Sequence, residues 1–410
     1  MKHYFRNMSF TFRRDLSIAV VARAVGLLGD EMAAIALLLR LQSDGGGPIA
    51  VAALLLAALG PLALFGSLAG RLVDRADSRT LLVSVSVVQA AACTALVFVT
   101  SSAAVLALVF VLGTGTAVTS TTWQALLPAL VPAADVPRAL GLSQTAGALA
   151  AVFAPALGGV LTGSFGASVP LVVDVVTFVS VAAAALVIAT RRRPAGREAG
   201  SAEHGRFSPR RDPLVRTLLI LLVVFVASGA MVNVIEVFLV RETLHASATW
   251  YGLTGAAWAV GLVGGGLLGG KLAGPRRLAR GSVLGCAVLA AVLVAMGLAP
   301  AVWILLPVGV LGGVANAILN VTVAAQVLAR APAAVHGRVM GTVGAVTNAA
   351  MIGAYLLGGV LGGLLDPRTI FVLAGGLGVA ASLLFGRAVL RAAHGRTADW
   401  DTPELQGVAA

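Results

Sequence analysis

Charged residues are scarce in this chain: Asp, Glu, Lys and Arg make up 11% of it, while 59% is hydrophobic and the mean hydropathy is +0.97. A water-soluble fold of 410 residues with that balance would have to leave much of its apolar side-chain surface in contact with water. Composition therefore excludes an ordinary soluble protein and places the chain in a bilayer. Cysteine is nearly absent. Cys93 and Cys286 both lie in apolar runs, where small thiols pack, and this excludes a disulfide framework; no metal and no cofactor is expected. Lysine accounts for only two of the 29 basic residues, a bias that fits a high-GC genome and carries no mechanism.

Two further absences narrow the function. The N-terminus, MKHYFRNMSFTFRRD, has basic residues but no short apolar run followed by a small-residue cleavage site, so it reads as a tail rather than a signal peptide. No nucleotide site is present either. Gly265 to Lys271 spells Gly-x-x-x-x-Gly-Lys, but Leu272 replaces the Ser or Thr that would hold magnesium, and the segment is an apolar helix rather than a strand-to-helix turn. Energy for any transport has to come from an ion gradient or from the cargo's own gradient.

Long apolar runs are abundant. Spanning a bilayer takes about 20 apolar residues per helix, and twelve such segments are legible. The first six are Leu16 to Arg40, Ile49 to Leu72, Thr80 to Thr100, Ala103 to Leu127, Pro137 to Leu161 and Ser168 to Thr190. The second six are Leu214 to Val240, Trp250 to Leu272, Leu278 to Leu298, Val302 to Leu328, Gly337 to Leu365 and Arg368 to Leu390. Between them Arg191 to Asp212 is charged, rich in Gly, Pro and Ser, and without apolar period, which reads as a flexible linker. The expected organisation is a tail 1–15, a bundle 16–190, a loop 191–213, a bundle 214–390 and a tail 391–410.

The net charge of +12 invites a nucleic-acid reading, which the placement of the basic residues makes unnecessary. Twenty-five of the 29 Lys and Arg fall on one side of the twelve spans, Arg40, Arg241 and Arg368 fall on the other, and Arg23 lies inside the first span. This is the positive-inside asymmetry, so both termini and the central loop are expected in the cytoplasm of a bacterial cell, with the chain in its plasma membrane. The basic charge sets topology and meets anionic lipid, and no nucleic-acid partner is expected.

The chain is also duplicated. Arg138 to Gly163 and Arg338 to Gly363, 200 residues apart, align without a gap, with Arg138/Arg338, Gly141/Gly341, Ala154/Ala354, Leu157/Leu357, Gly158/Gly358, Gly159/Gly359, Val160/Val360 and Gly163/Gly363 identical. A parallel repeat of long apolar segments is a transporter signature. The expected fold is all-α, with twelve transmembrane helices in two pseudo-symmetric six-helix bundles.

The strongest local motif follows the second span: Gly70, Arg71, Leu72, Val73, Asp74, Arg75, Ala76, Asp77, Ser78, Arg79. It resembles the Gly-x-x-x-Asp-Arg-x-x-x-Arg signature of the major facilitator superfamily, and the resemblance runs over essentially the whole chain. In that family the loop latches the cytoplasmic side when the cavity faces outward. The resemblance implies that Gly70, Asp74, Arg75 and Arg79 do so here, with Asp74 near Arg338 at the start of helix eleven. An acid at a cytoplasmic helix end facing the N-terminus of another helix gains about 0.3–1 kcal/mol. The alternative is that these charges only fix topology. Helix five carries Ala150, Ala154, Pro155, Ala156, Leu157, Gly158 and Gly159, similar to the superfamily's antiporter pattern with Ala in place of its first two Gly. Small residues at this spacing pack helices closely and Pro155 bends the helix.

Ionisable groups inside a bilayer are costly and so are candidates for function. Helix one has Arg23 and Asp30 on one face, two turns apart, and Glu31 about 100 degrees away from Asp30. Helix seven has Asn233 and Glu236, helix ten has Asn316 and Asn320, and helix four has Thr116, Thr119, Ser120 and Trp123. In the superfamily helices one, four, seven and ten line the cavity, so the resemblance makes these residues a cargo and proton path. Arg23 has an alternative structural role, Glu236 could face water, and Asp174, early in helix six, is expected to cap or pair at the outer boundary. The helix-four segment VLALVFVLGTGTAVTSTTW lacks the Arg of many drug antiporters. The wording ARAVGLLGDEMAAIALLL in helix one and APALGGVL in helix five resembles macrolide-efflux and siderophore-exporting permeases. The expected function is proton-driven efflux of an amphipathic drug or natural product by a monomeric, non-enzymatic transporter. A proton-coupled importer of a small solute and a lipid flippase or non-transporting scaffold remain open.

Overall fold

The computed structural model describes residues 10–132, 135–190, 213–331 and 336–394. It is all-helical. The described residues form twelve α-helices: α1 (Phe10–Ser43), α2 (Pro48–Arg75), α3 (Ser78–Phe98), α4 (Ser102–Ala129), α5 (Val136–Phe165), α6 (Ser168–Val187), α7 (Pro213–Phe238), α8 (Ala248–Gly269), α9 (Pro275–Leu298), α10 (Leu305–Leu328), α11 (His336–Gly362) and α12 (Pro367–His394). A short π-helical turn, Leu239–Thr243, extends α7, and a 3-10 turn, Val302–Ile304, precedes α10. Residues 191–212, most of the expected loop, lie outside the described residues.

Eleven of these helices, α2 to α12, carry an apolar window long enough to cross a bilayer with at most two charged residues in it. The exception is α1. Arg23, Asp30 and Glu31 stand so close together that any span-length window near the middle of α1 meets all three, so the helix most burdened with charge is the one composition does not certify. Its start also differs from expectation. The helix runs back from Leu16 to Phe10, because an α-helix satisfies its own backbone and needs no apolar side chains beyond the bilayer.

Local signals place the ends. Pro opens α2 and α9 within the first turn, where its missing N–H costs no helical bond. Asp77 caps α3 by accepting from the Thr80 backbone N–H at 3.2 Å. Arginines hold the opposite ends: Arg40 donates to the carbonyls of Leu96 and Val99 at 2.8 and 2.6 Å, Arg79 to Ile188 at 2.6 Å, and Arg368 to Gly297 at 3.3 Å. These acceptors are the last carbonyls of α3, α6 and α9, which lack helical partners and sit at the negative pole of the helix dipole. Arg241 likewise donates to the Ala246 carbonyl at 2.8 Å. The three arginines that break the positive-inside pattern are thus all engaged with backbone oxygen.

The chain divides into two compact units, residues 1–199 with 247–256, and residues 200–246 with 257–410. In the first, α1 packs on α5 and α6, and α3 on α4 and α6. In the second, α7 packs on α11 and α12, and α9 on α10 and α12. These pairings are the same under the 200-residue offset of the sequence repeat. The first unit's core joins Leu16, Ala19, Leu82, Trp123, Leu126, Leu127 and Ile188. The second joins Leu218, Phe225, Ala290, Leu319 and Val327. Phe98, Leu364 and Leu384 are 79%, 75% and 73% exposed, as side chains facing lipid would be.

Candidate functional site

Polar and ionisable groups in the first unit gather on α1, α3, α4, α5 and α6. Arg23 Nη1 donates to Ser143 Oγ of α5 at 2.8 Å. Asp30 is half-buried and Glu31 exposed, and neither forms an ion pair or hydrogen bond among the described residues. Asp30 and Arg23 share a face of α1 as expected, yet they do not pair.

Asp174 departs from its expected place. It lies 1% exposed inside the unit and does not cap the start of α6. Thr177 Oγ1 lies 2.9 Å from its Oδ1, and Cys93 Sγ of α3 lies 3.6 Å from its Oδ2. On the other side it meets α1: a Cβ added to Gly29 would collide with Asp174 Oδ1 and Thr177 Oγ1. Position 29 therefore has to be glycine for Asp174 to sit where it does. Asp30 is the next residue of α1, so its side chain starts beside the backbone that Asp174 lies against. The sequence signal was available: an acid seven residues into an apolar helix, too deep for a cap.

The second unit holds a cavity of about 170 Å3 between α7, α8, α9, α10 and α11. Its polar wall is Asn233, Asn316, Asn320 and Tyr355, its apolar wall includes Phe225 and Trp258, and no Asp, Glu, Lys or Arg lines it. Three of the residues expected to line a cargo path, Asn233, Asn316 and Asn320, are thus brought together. Asn320 Nδ2 donates to the Asn316 side-chain and backbone oxygens, the latter at 2.9 Å, and the Tyr355 hydroxyl is within hydrogen-bonding reach of Asn233. Tyr355 occupies the position that Pro155 holds in the first copy. Sequence comparison of the copies located that divergence without revealing that the new side chain forms a cavity wall.

Other expected residues fall elsewhere. Trp123 is 4% exposed and packs in the apolar core of the first unit. Glu236 is half-buried on α7 and is not among the cavity residues. Asp74 and Arg75 are exposed, and a Cβ at Gly70 would meet nothing within 4 Å. Arg79 is engaged with the end of α6 as described above. Arg338 opens α11, with its side chain outside the described residues. In helix five Gly158 packs on Met32 of α1. Gly159 packs on Gly252 and Ala248, which belong to the first unit, and a Cβ at Gly252 would strike the Pro155 carbonyl. The small residues of α5 therefore serve close backbone approach, and Pro155 lies at the tightest contact.

Comparisons with known proteins give a consistent picture. The fold of a bacterial homologue of the human lysosomal transporter Spinster, captured inward-facing and unoccupied, matches with a TM-score of 0.71 at 14% identity, over 97% of this chain and 100% of that one. The nucleoside transporter NupG matches at 0.72 and 14%, over 92% and 99%. A bacterial homologue of the iron transporter ferroportin, in an inward-facing state, matches at 0.72 and 15%, over 94% and 100%. At such identities the likeness is one of fold. No curated protein matches the chain in sequence. The family described as transmembrane secretion effector matches residues 5–406, nearly the whole length. The chain belongs to that family, and is a multi-pass membrane transporter of the major facilitator type.

Proposed function

We propose that the protein is a proton-driven exporter that moves an amphipathic drug or natural product out of a bacterial cell by alternating access. Its helices form two pseudo-symmetric six-helix bundles in the plasma membrane, 16–190 and 214–390, with the tails 1–15 and 391–410 and the loop 191–213 in the cytoplasm, and the chain works as a monomer. The observation that carries the reading is the cavity of the second unit, where Asn233, Asn316, Asn320 and Tyr355 interrupt an apolar wall that has no charge. Such a lining suits a cargo that is mostly apolar with a few hydrogen-bonding groups, and offers a small ionic nutrient no counter-charge. The family's description as secretion effectors supports the outward direction. Asp30 and Glu31, without a cation partner among the described residues, supply exchangeable carboxyl groups. Gly70, Asp74, Arg75, Arg79 and Arg338 act as the cytoplasmic latch.

The test is dye uptake into inside-out vesicles under an imposed proton gradient, with ethidium as a cationic probe and Nile red as an uncharged one. Wild type accumulates at least one dye when the gradient is applied and releases it when the gradient is collapsed. Asp30→Asn loses gradient-driven accumulation. Equal accumulation by wild type, Asp30→Asn and Glu236→Gln would overturn proton coupling, and accumulation only in right-side-out vesicles would reverse the direction.

A further inference from the structure

The duplicated sequence has diverged at one buried place. In the first unit Gly29, Cys93, Asp174 and Thr177 meet between α1, α3 and α6, with Asp30 next to Gly29 on α1. Under the 200-residue offset their counterparts are Gly229, Ala230, Leu293, Ala374 and Leu377. The offset is structural as well as sequential. Gly29 lies against Asp174, and in the second unit Ser228 Oγ donates to the Ala374 carbonyl at 3.4 Å. One copy keeps glycine and has no polar side chain at the other four positions, and the kept Gly229 with two of the replacements, Ala230 and Leu293, lines its cavity. The other copy keeps two acids, a hydroxyl and a thiol in the same space.

We infer that Asp174 and Asp30 bind one exchangeable proton between them, across the α1–α6 contact of the first unit. Resting on the proton-driven reading above, this joins to Asp30, which that reading uses, a second carboxyl group that it does not. The hydrogen-bond geometry admits both forms of Asp174. Thr177 Oγ1 lies 2.8 Å from the Asp174 carbonyl and 2.9 Å from its Oδ1, and a hydroxyl has one proton to give. When Asp174 is protonated, Thr177 donates to the carbonyl and accepts the carboxyl proton; when Asp174 is ionised, Thr177 and the Cys93 thiol donate to it. No cation competes. Asp174 is the sole ionisable residue of α6 and α4 has none; α3 presents Cys93, and α1 presents Asp30 with Glu31 beside it, while Arg23 is held by Ser143. The charged residues of α5, Asp135 and Arg138, pair with each other at its first turn, 3.3 Å apart. Asp30 follows Gly29, whose backbone lies against the Asp174 carboxyl, and two carboxyl groups so placed, in a bilayer and without a cation, cannot both be ionised at tolerable cost, so they titrate as one pair. Asp30 is half-buried and Asp174 fully buried.

Infrared spectroscopy of the protein in lipid nanodiscs reads this directly, through the carbonyl stretch of a protonated carboxylic acid and its shift in deuterium oxide. Wild type has such a band, and the band titrates with pH. Asp174→Asn and Asp30→Asn each remove part of it and displace the titration of what remains. Thr177→Val shifts the band's frequency, and Thr177→Ser restores it; this pair of variants decides the matter should Asp174→Asn fail to fold. A band unchanged by Asp174→Asn, or by Thr177→Val, overturns the pairing. Transport that ignores the proton gradient while the band behaves as stated overturns the exporter mechanism and leaves the pair standing. Gradient-driven transport with an Asp174→Asn spectrum like that of wild type does the reverse.

Discussion

Arg23 of α1 is held by Ser143 of α5, with Nη1 and Oγ 2.8 Å apart, and not by Asp30 two turns along its own helix. The guanidinium spends its charge on a neutral hydroxyl while two nearby acids go without a cation. A hydrogen bond to a charged group contributes about 1.5–3 kcal/mol. Ser143→Ala should therefore destabilise the protein by about that much in unfolding by SDS from mixed micelles, and should leave gradient-driven dye accumulation per folded molecule intact. Loss of accumulation at unchanged stability would assign Arg23 to the cargo path instead.

Glycines separate into two kinds here. At Gly252 an added Cβ strikes the Pro155 carbonyl, whereas at Gly70 it meets nothing. Gly252→Ala should cost more than about 2 kcal/mol or prevent folding, since backbone cannot yield as a flexible side chain can. Gly70→Ala should be neutral or stabilising by up to about 1 kcal/mol, the helix propensity difference. If Gly70→Ala leaves stability unharmed yet slows transport, the loop's role is conformational, as a latch requires.

The cavity of the second unit makes a prediction about binding. Tyr355→Phe removes the hydroxyl within reach of Asn233 and should weaken binding of an exported dye about five- to tenfold, the equivalent of one hydrogen bond. Asn233→Leu should weaken it at least as much. Trp258, in the wall, supplies the readout by quenching of its emission, with the other tryptophans replaced by Phe.

Helix-end arginines should matter more than exposed ones. Arg79→Ala leaves the last carbonyl of α6 without its partner and should cost about 1–3 kcal/mol in the same unfolding assay. Arg75→Ala, at an exposed position, should stay within about 0.5 kcal/mol. Equal effects would place Arg79 in a purely electrostatic role.

Much of the fold was legible because its drivers are local. Apolar runs of span length appear as helices where expected, and the prolines in first turns and the Asp77 cap that fix their ends also act within a few residues. The twelfth span rests on the same logic, yet α1 carries the charges that blur its signal. The polar sites were legible only in part. Asn233, Asn316 and Asn320 could be picked from their helices, but Trp123 was indistinguishable from a cavity residue until its neighbours were known. The depth of Asp174 already argued against a cap, but its meeting with Gly29 and Cys93 was not legible, because a helix's length does not say which way a residue faces.

What could be read along the chain alone was that this protein lives in a bilayer, that one of its segments recurs 200 residues on, and where every helix but the first begins to within a turn or so. These follow from transfer free energy and from backbone hydrogen bonding, which act residue by residue. Packing in three dimensions was needed to show that Gly29 makes room for Asp174 beside α1, and that the matching place in the other copy is lined by Ala230 and Leu293. Partnership between side chains depends on how each helix is rotated against its neighbours, and that rotation is set by the packing of all of them at once.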